Sequence, residues 1–440
     1  MRIILIIVNL LPLIFVSNSY ANGDFNQEQT PQAKVEQALQ ELKDADPIVR
    51  LEATSELARL GVKEHTKEIA ELLKDSDARV RREVLGALGK LEAKEYTKDI
   101  AIFLKDKDGY VRSAAAEALG KLGAKEYTKD IVELFYDEER WARVGAIRAL
   151  ADLGAKEYSD EIAQLLKDSS VQGIAAEALG RLGAKKYTKQ IASLLNDPDG
   201  FDRGEAVRAL GELKAREYAE EIKGLLNDKE ISTSAVEALS ELGMKEYAQD
   251  IAELLKERNP FGSMGAGKAA LALAKLEAKE YVKDIRELLK YTLSLEGTYG
   301  DYLMTREATE KALLTLVGTK GYAEELQEFL NDQSSIVRAF AVYKLGDLNR
   351  KEYRKQIVEL LKDSDPQVKV ATVMALGELQ AKEYKDQLIP FLNDFNPISI
   401  YTQFLYDKLK EEGLLGDNLT TTIGRVTAKV FKDWGEIKEK

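Results

Sequence analysis

The sequence predicts an all-α solenoid built from about eleven helical-pair repeats, and three observations carry that prediction. The first is a period. A Lys-Glu-Tyr or close variant recurs at His65, Tyr96, Tyr127, Tyr158, Tyr187, Tyr218, Tyr247, Tyr281, Tyr322, Tyr353 and Tyr384, most often 31 residues apart. A fixed period of about 20–50 residues marks stacked repeats. The second is apolar spacing inside the unit. Tyr127, Ile131 and Leu134 share one helical face, and Val111, Ala115, Ala118, Leu119 and Leu122 share another. The third is punctuation. Asp-rich turns such as Asp106-Lys-Asp108-Gly109 and Asp197-Pro-Asp199-Gly200 supply helix N-caps, and Gly123 suits a left-handed C-terminus. A lone helical pair cannot bury both faces, so each unit needs its neighbours.

In chain order, residues 1–21 read as a secretory signal peptide. Arg2 is followed by the apolar run Ile3 to Val16, and Ser19-Tyr20-Ala21 offers a small-residue cleavage site before Asn22. The run is short of the roughly 20 residues a spanning helix needs, and no later stretch is long enough. Residues 22–44 form an N-terminal cap: a polar start, then Thr30-Pro31 opening a helix with Val35, Ala38, Leu39 and Leu42 on one stripe. Residues 45–394 hold the repeats. Residues 395–440 form a C-terminal cap and tail. There a helix starts at Asn396-Pro397 with Ile398, Tyr401, Leu405 and Leu409 aligned, and a last helix carries Ile423, Val426 and Val430.

The unit resembles HEAT repeats of the phycobilisome-lyase-like type. The Asp-x-Asp-x-x-Val-Arg turn, seen at Asp77 to Arg81 and Asp108 to Arg112, and the Ala-Leu-Gly-x-Leu-Gly end carry the likeness, across roughly residues 45–394. The resemblance implies a right-handed α-α superhelix of HEAT/armadillo type, with the second helices lining its concave face. It also implies that the recurrent arginine of Arg50, Arg81, Arg112, Arg143, Arg203 and Arg338 pairs with turn aspartates. The nominal relatives attach bilins to phycobiliproteins, but a fold does not fix a reaction.

Composition narrows the function. A formal charge of −12 argues against general nucleic-acid binding, which depends on neutralising phosphates. With no Cys there are no disulfides, so packing must supply the stability. A HEAT-like fold also resembles that of deoxyhypusine hydroxylase, whose metal needs several imidazoles; this chain has one, His65, in the tyrosine column. Gly262 to Lys268 fits part of a phosphate-binding loop, but a helix precedes it and Ala269 follows where Ser or Thr is required. No catalytic residue, cofactor or metal site is expected.

What remains is a surface. The position seventeen before each tyrosine holds Ile48, Arg79, Tyr110, Trp141, Ser170, Phe201, Glu230, Met264, Thr305, Ile336 and Gln367. That variability, set among monotonous columns, points to solvent or a partner. Tyr110, Trp141 and Phe201 are the expected anchors, because aromatic side chains dominate interface energetics. The position ten before the tyrosine alternates through Glu117, Arg148, Glu177, Arg208 and Glu237, and reads as an ion ladder between repeats. Two turns are two residues short, at Asp168-Ser-Ser-Val171 and Asp228-Lys-Glu-Ile231. The segments Asn259 to Gly267 and Tyr291 to Tyr302 are long, and the second, with Tyr299 and Tyr302, is either a binding loop or a hinge. The expected function is that of an exported, periplasmic or secreted, non-enzymatic scaffold for a protein partner. The alternative is an accessory or chaperone-like factor for a cofactor-bearing protein.

Overall fold

The computed structural model describes residues 30–256, 263–294, 300–394, 398–399, 408–412, 414, 420–421 and 423–435. The leader at 1–21 and its cleavage site, the polar start at 22–29 and Tyr299 lie outside the described residues. The chain groups into two compact units that divide between Val171 and Gln172. Among the described residues each is all-helical apart from a pair of two-residue strands near the C-terminus, and in each the second helices of successive repeats stack in chain order.

The repeat around Tyr127 shows how sequence becomes structure. Lys125–Tyr127 is a single 3-10 turn, Thr128–Val132 one short α-helical stretch, and Glu133–Tyr136 a second 3-10 piece. The first helix is therefore a composite, because Tyr127 sits at φ −99° and ψ 5°, outside the helical well, and separates the first turn from the α segment. Ile131 and Leu134 still point inward and are buried. The second helix of the preceding repeat, Gly109–Leu122, is a full α-helix that buries Val111, Ala115, Ala118, Leu119 and Leu122. The Asp108 carboxylate accepts from the Tyr110 and Val111 N–H groups at 2.9 and 3.2 Å, which caps its start. Gly123, at φ 72°, ends it in the left-handed conformation.

Two contacts join one repeat to the next. The recurrent arginine spans two turns: Arg112 donates to the Asp106 carbonyl of its own turn at 2.7 Å, and to both Asp137 oxygens of the next at 2.6 Å. Arg50 and Asp75, and Arg81 and Asp106, repeat this arrangement in the first unit. Arg338 with Asp363 does so in the second, where Arg203 reaches a single oxygen of Asp228 and also Glu230. Where the arginine is replaced by Gln172, the amide still reaches Asp197, at 2.8 Å. The other contact is between backbones. A Cβ on Gly120 would lie 2.9 Å from Ala149 Cα, and one on Gly89 would lie 3.1 Å from Ala118 Cα. In the second unit Gly180 meets Ala209, Gly211 meets Ala238 and Gly346 meets Ala375 in the same way. The Gly of Ala-Leu-Gly is thus a packing residue, and a larger one would force the helices apart.

The ends and irregularities bring corrections. Thr30 caps Pro31–Glu41 as the sequence predicts, accepting from Ala33 N–H at 3.3 Å. At the other end Asn396-Pro397, Tyr401 and Leu405 lie outside the described residues; Leu409 is helical, but Ile398 is not. Ile398–Ser399 instead pairs antiparallel with Thr420–Thr421. The β-branched Ile398 and threonines favour extended backbone. Helix Ile423–Asp433 then packs on Pro366–Glu378, where Val430 covers Gly377 and Trp434 Nε1 donates to the Gly377 carbonyl at 3.4 Å. The described ends of the long segment at 291–302, residues 291–294 and 300–302, are helical. The first helix there runs Val282–Ser294, and Gly300–Phe329 follows with a break at Gly318. Tyr302 lies in that second helix, and its side chain is outside the description. Tyr322, just past the break, lies within a helix and is buried.

Candidate interaction site

The first unit contains the one place where the aromatic column becomes a structure. Helices Gly109–Leu122 and Arg140–Asp152 make the most extensive contact of any helix pair among the described residues. Three small residues allow it. A Cβ on Gly109 would collide with Glu139 at 2.5 Å, one on Gly145 with Ser113 Cα at 2.7 Å, and one on Gly120 with Ala149. The approach brings the Tyr110 and Trp141 rings, one turn from Ser113 and Gly145, to a 5.9 Å centroid separation and an interplanar angle of 28°. Offset stacking at this distance is a favoured aromatic geometry.

Both rings remain open to solvent, Tyr110 at 48% and Trp141 at 41% exposure. Guanidinium groups accompany them: Arg82 lies 6.0 Å from the Tyr110 centroid and Arg140 4.9 Å from that of Trp141. Arg140 is held there, because its Nε donates to the Ser170 carbonyl at 2.5 Å. Ser170 belongs to the short turn, and its hydroxyl also accepts from Arg143 at 2.8 Å while donating to Asp168. Arg143 consequently sits 3.3 Å from Asp168, farther than its counterparts sit from their aspartates. The interruption of the column at Ser170 thus fixes the cation beside Trp141.

Below the rings is a hollow of about 350 Å³. Gly86, Ser113, Ala114 and Ala118 contribute little bulk to its lining, while Arg82, Lys121, Arg148 and Glu117 contribute charge. At Gly86 even an added Cβ would meet nothing within 4 Å, so the space is open on that side.

The remaining candidates divide. Phe201 belongs to the second unit, where it is 50% exposed and stacks on no other ring among the described residues. In the same column Ile48 is exposed, whereas Thr305 and Gln367 are buried, so the variability there has two causes. The ion ladder ten before the tyrosine does not form as expected. Arg208 pairs with Glu205 of its own helix at 2.7 Å, Glu177 with Arg181, and Glu237 with Lys268 of the next second helix. Partners three or four residues away on one helix are nearer than those across a stack. Arg148 and Glu117 do not pair. Lys268, the basic residue of the loop-like Gly262 to Lys268 run, is engaged by Glu237 and lies within helix Ser263–Lys275. His65 Nδ1 is 3.5 Å from Glu68 on a 3-10 turn, the place a tyrosine takes elsewhere.

The family described as HEAT repeats matches residues 35–120, 97–180, 128–205, 159–231, 188–266 and 323–398. The chain belongs to the HEAT-repeat family. No curated protein matches it in sequence. Among solved structures, this HEAT-repeat chain is similar to the karyopherin Kap121p bound to Ste12p, at 12% identity and a TM-score of 0.53 over 93% of this chain and 53% of that one. That likeness is one of fold. Phycocyanin lyase CpcE and CpcF from Nostoc sp. matches at 21% identity and a TM-score of 0.34, over 67% of this chain and 97% of that one. An engineered protein matches at 19% and 0.34, over 79% and 99%. Among the described residues no helix is long and apolar enough to cross a membrane, and no acidic, His or Cys cluster is arranged to hold a metal.

Proposed function

We propose that this HEAT-repeat protein is an exported, non-enzymatic scaffold that binds a protein partner over the Tyr110–Trp141 surface. One observation carries the reading. The scaffold brings two large aromatic rings into contact with each other and leaves both in solvent, where burial of either would be favourable by roughly 1.5–3 kcal/mol. Stacked, cation-flanked rings above a hollow are the kind of anchor that interfaces concentrate. Replacing Trp141 with Ala is expected to weaken partner binding by at least about 2 kcal/mol, the hot-spot scale, while the melting temperature stays within a degree or two. Calorimetric titration of a partner recovered from the native cell envelope measures the first quantity, and a thermal melt the second. A variant that melts early and binds normally removes the site.

Export rests on the sequence of residues 1–21. The intact mass of protein isolated from its host envelope should correspond to a chain starting at Asn22. A mass that includes Met1 refutes cleavage.

A further inference from the structure

We infer that the hollow beside Tyr110 and Trp141 takes an acidic segment of the partner, a stretch of chain that places Asp or Glu carboxylates on Arg148, Lys121 and Arg82 with an apolar side chain against the rings. The inference rests on the interaction reading above and names the chemistry of the partner.

The argument starts from charge. This chain carries a formal charge of −12, and most basic side chains near its second helices have carboxylates to meet. Arg208 has Glu205, Lys268 has Glu237, and Arg112 has Asp137. Around the hollow the pattern reverses. Arg82, Lys121 and Arg148 line it, all three exposed, and none forms an ion pair or hydrogen bond among the described residues. Glu117, the one acid in the lining, accepts instead from the Ser113 hydroxyl at 3.4 Å. Three cations against one carboxylate leave a local positive excess in an acidic protein, and such an excess attracts and orients an oppositely charged partner.

Shape narrows the class further. The lining between the cations is Gly86, Ser113, Ala114 and Ala118, and the Tyr110 and Trp141 rings adjoin it. Guanidinium groups bind carboxylates through paired N–H donors. The small residues leave room for backbone, and the rings offer an apolar contact. A bare anion would use the cations and leave the rings idle, whereas a peptide segment uses both. Arg140, pinned by Ser170 beside Trp141, adds a fourth cation at the edge.

The test is a positional-scanning library of nonapeptides presented to the full-length protein and to its Arg148→Glu and Lys121→Gln variants. Wild type should enrich Asp and Glu at two or more positions flanking one apolar position. A peptide made from that consensus should bind at least 10-fold more weakly to Arg148→Glu, and more weakly to wild type at 0.5 M salt. Its Gln-for-Glu counterpart should lose at least 10-fold. Both replaced side chains are exposed and unpaired, so the variants should melt with wild type, which a thermal scan verifies. No acidic enrichment, or unchanged affinity in Arg148→Glu, overturns the inference. So does displacement of the peptide by inorganic phosphate or single-stranded DNA at equal or lower concentration, which would mark a general anion site. If Trp141→Ala weakens the partner while Arg148→Glu does not, the interaction surface stands and only the acidic class falls.

Discussion

Replacing Leu119 with Ala should destabilise the first unit by about 2–5 kcal/mol, the cost of emptying a fully buried leucine site. Leu119 has no exposed surface, and its carbonyl accepts the Ala124 N–H at 3.0 Å just before the next Lys-Glu-Tyr turn. The substitution keeps that backbone hydrogen bond and removes only the side chain, so the loss is one of core packing. In a stacked array each repeat is stabilised by its nearest neighbours, so the damage should be local. Hydrogen exchange on Leu119→Ala should show the largest rate increases between the repeats of Tyr96 and Tyr158. Equal loosening across residues 30–435 would contradict nearest-neighbour stacking.

The other large effect is expected at Arg112. Its guanidinium fills three acceptor positions, and both it and Asp137 are mostly shielded from water. Arg112→Ala leaves Asp137 with the Glu139 N–H alone, and an uncompensated shielded charge of this kind costs about 3 kcal/mol. The cost should depend on pH. Burial favours protonation of Asp137, but the hydrogen bonds from Arg112 and the Glu139 N–H outweigh it and hold the carboxyl below its ordinary value. A carboxyl depressed in the folded state stabilises at pH values above the unfolded value of about 3.9, and that stability is lost as pH falls through the folded value. Asp75, Asp106 and Asp363 are depressed in the same direction. Thermal melts at pH 7 should therefore separate wild type from Arg112→Ala, and the gap should narrow as pH falls below about 3.9 and through the depressed folded value. A gap that persists unchanged over that range would assign the arginine's role to packing of its stem.

What could be read from sequence follows from how local each signal is. The Asp108 cap, the Gly123 terminus and the face of Val111, Ala115 and Leu119 depend on residues within one turn or one helix, and all are found where spacing places them. The arginine's partner was implied by family resemblance and lies one repeat away, at Asp137 for Arg112. The pairing of Tyr110 with Trp141 was visible as a column but not as a contact. It depends on Gly145 meeting Ser113 across two helices, and one strand of sequence does not reveal which glycine is a close approach and which an open one such as Gly86. The ladder failed at Glu177 and Arg208 because column spacing ignores nearer partners on the same helix, Arg181 and Glu205. Ile398, expected in a C-terminal helix, is extended instead, because apolar spacing was weighed above β-branching.

The arginine that reaches forward has a consequence for how such a chain can lengthen. Each regular repeat offers one donor toward the repeat after it and one aspartate toward the repeat before it, as Arg81 and Asp106 or Arg112 and Asp137 do. Copying a whole unit in tandem adds a plug and a socket together and leaves neither unmatched. Gene duplication could thus extend the array without new compensating mutations, provided the copy is made among the arginine-bearing repeats. At Gln172, Ser232, Ala266, Glu307 and Lys369 the forward arginine is missing. Those are the joints where the chain has stopped being interchangeable, and where its length is fixed by particular neighbours rather than by a rule.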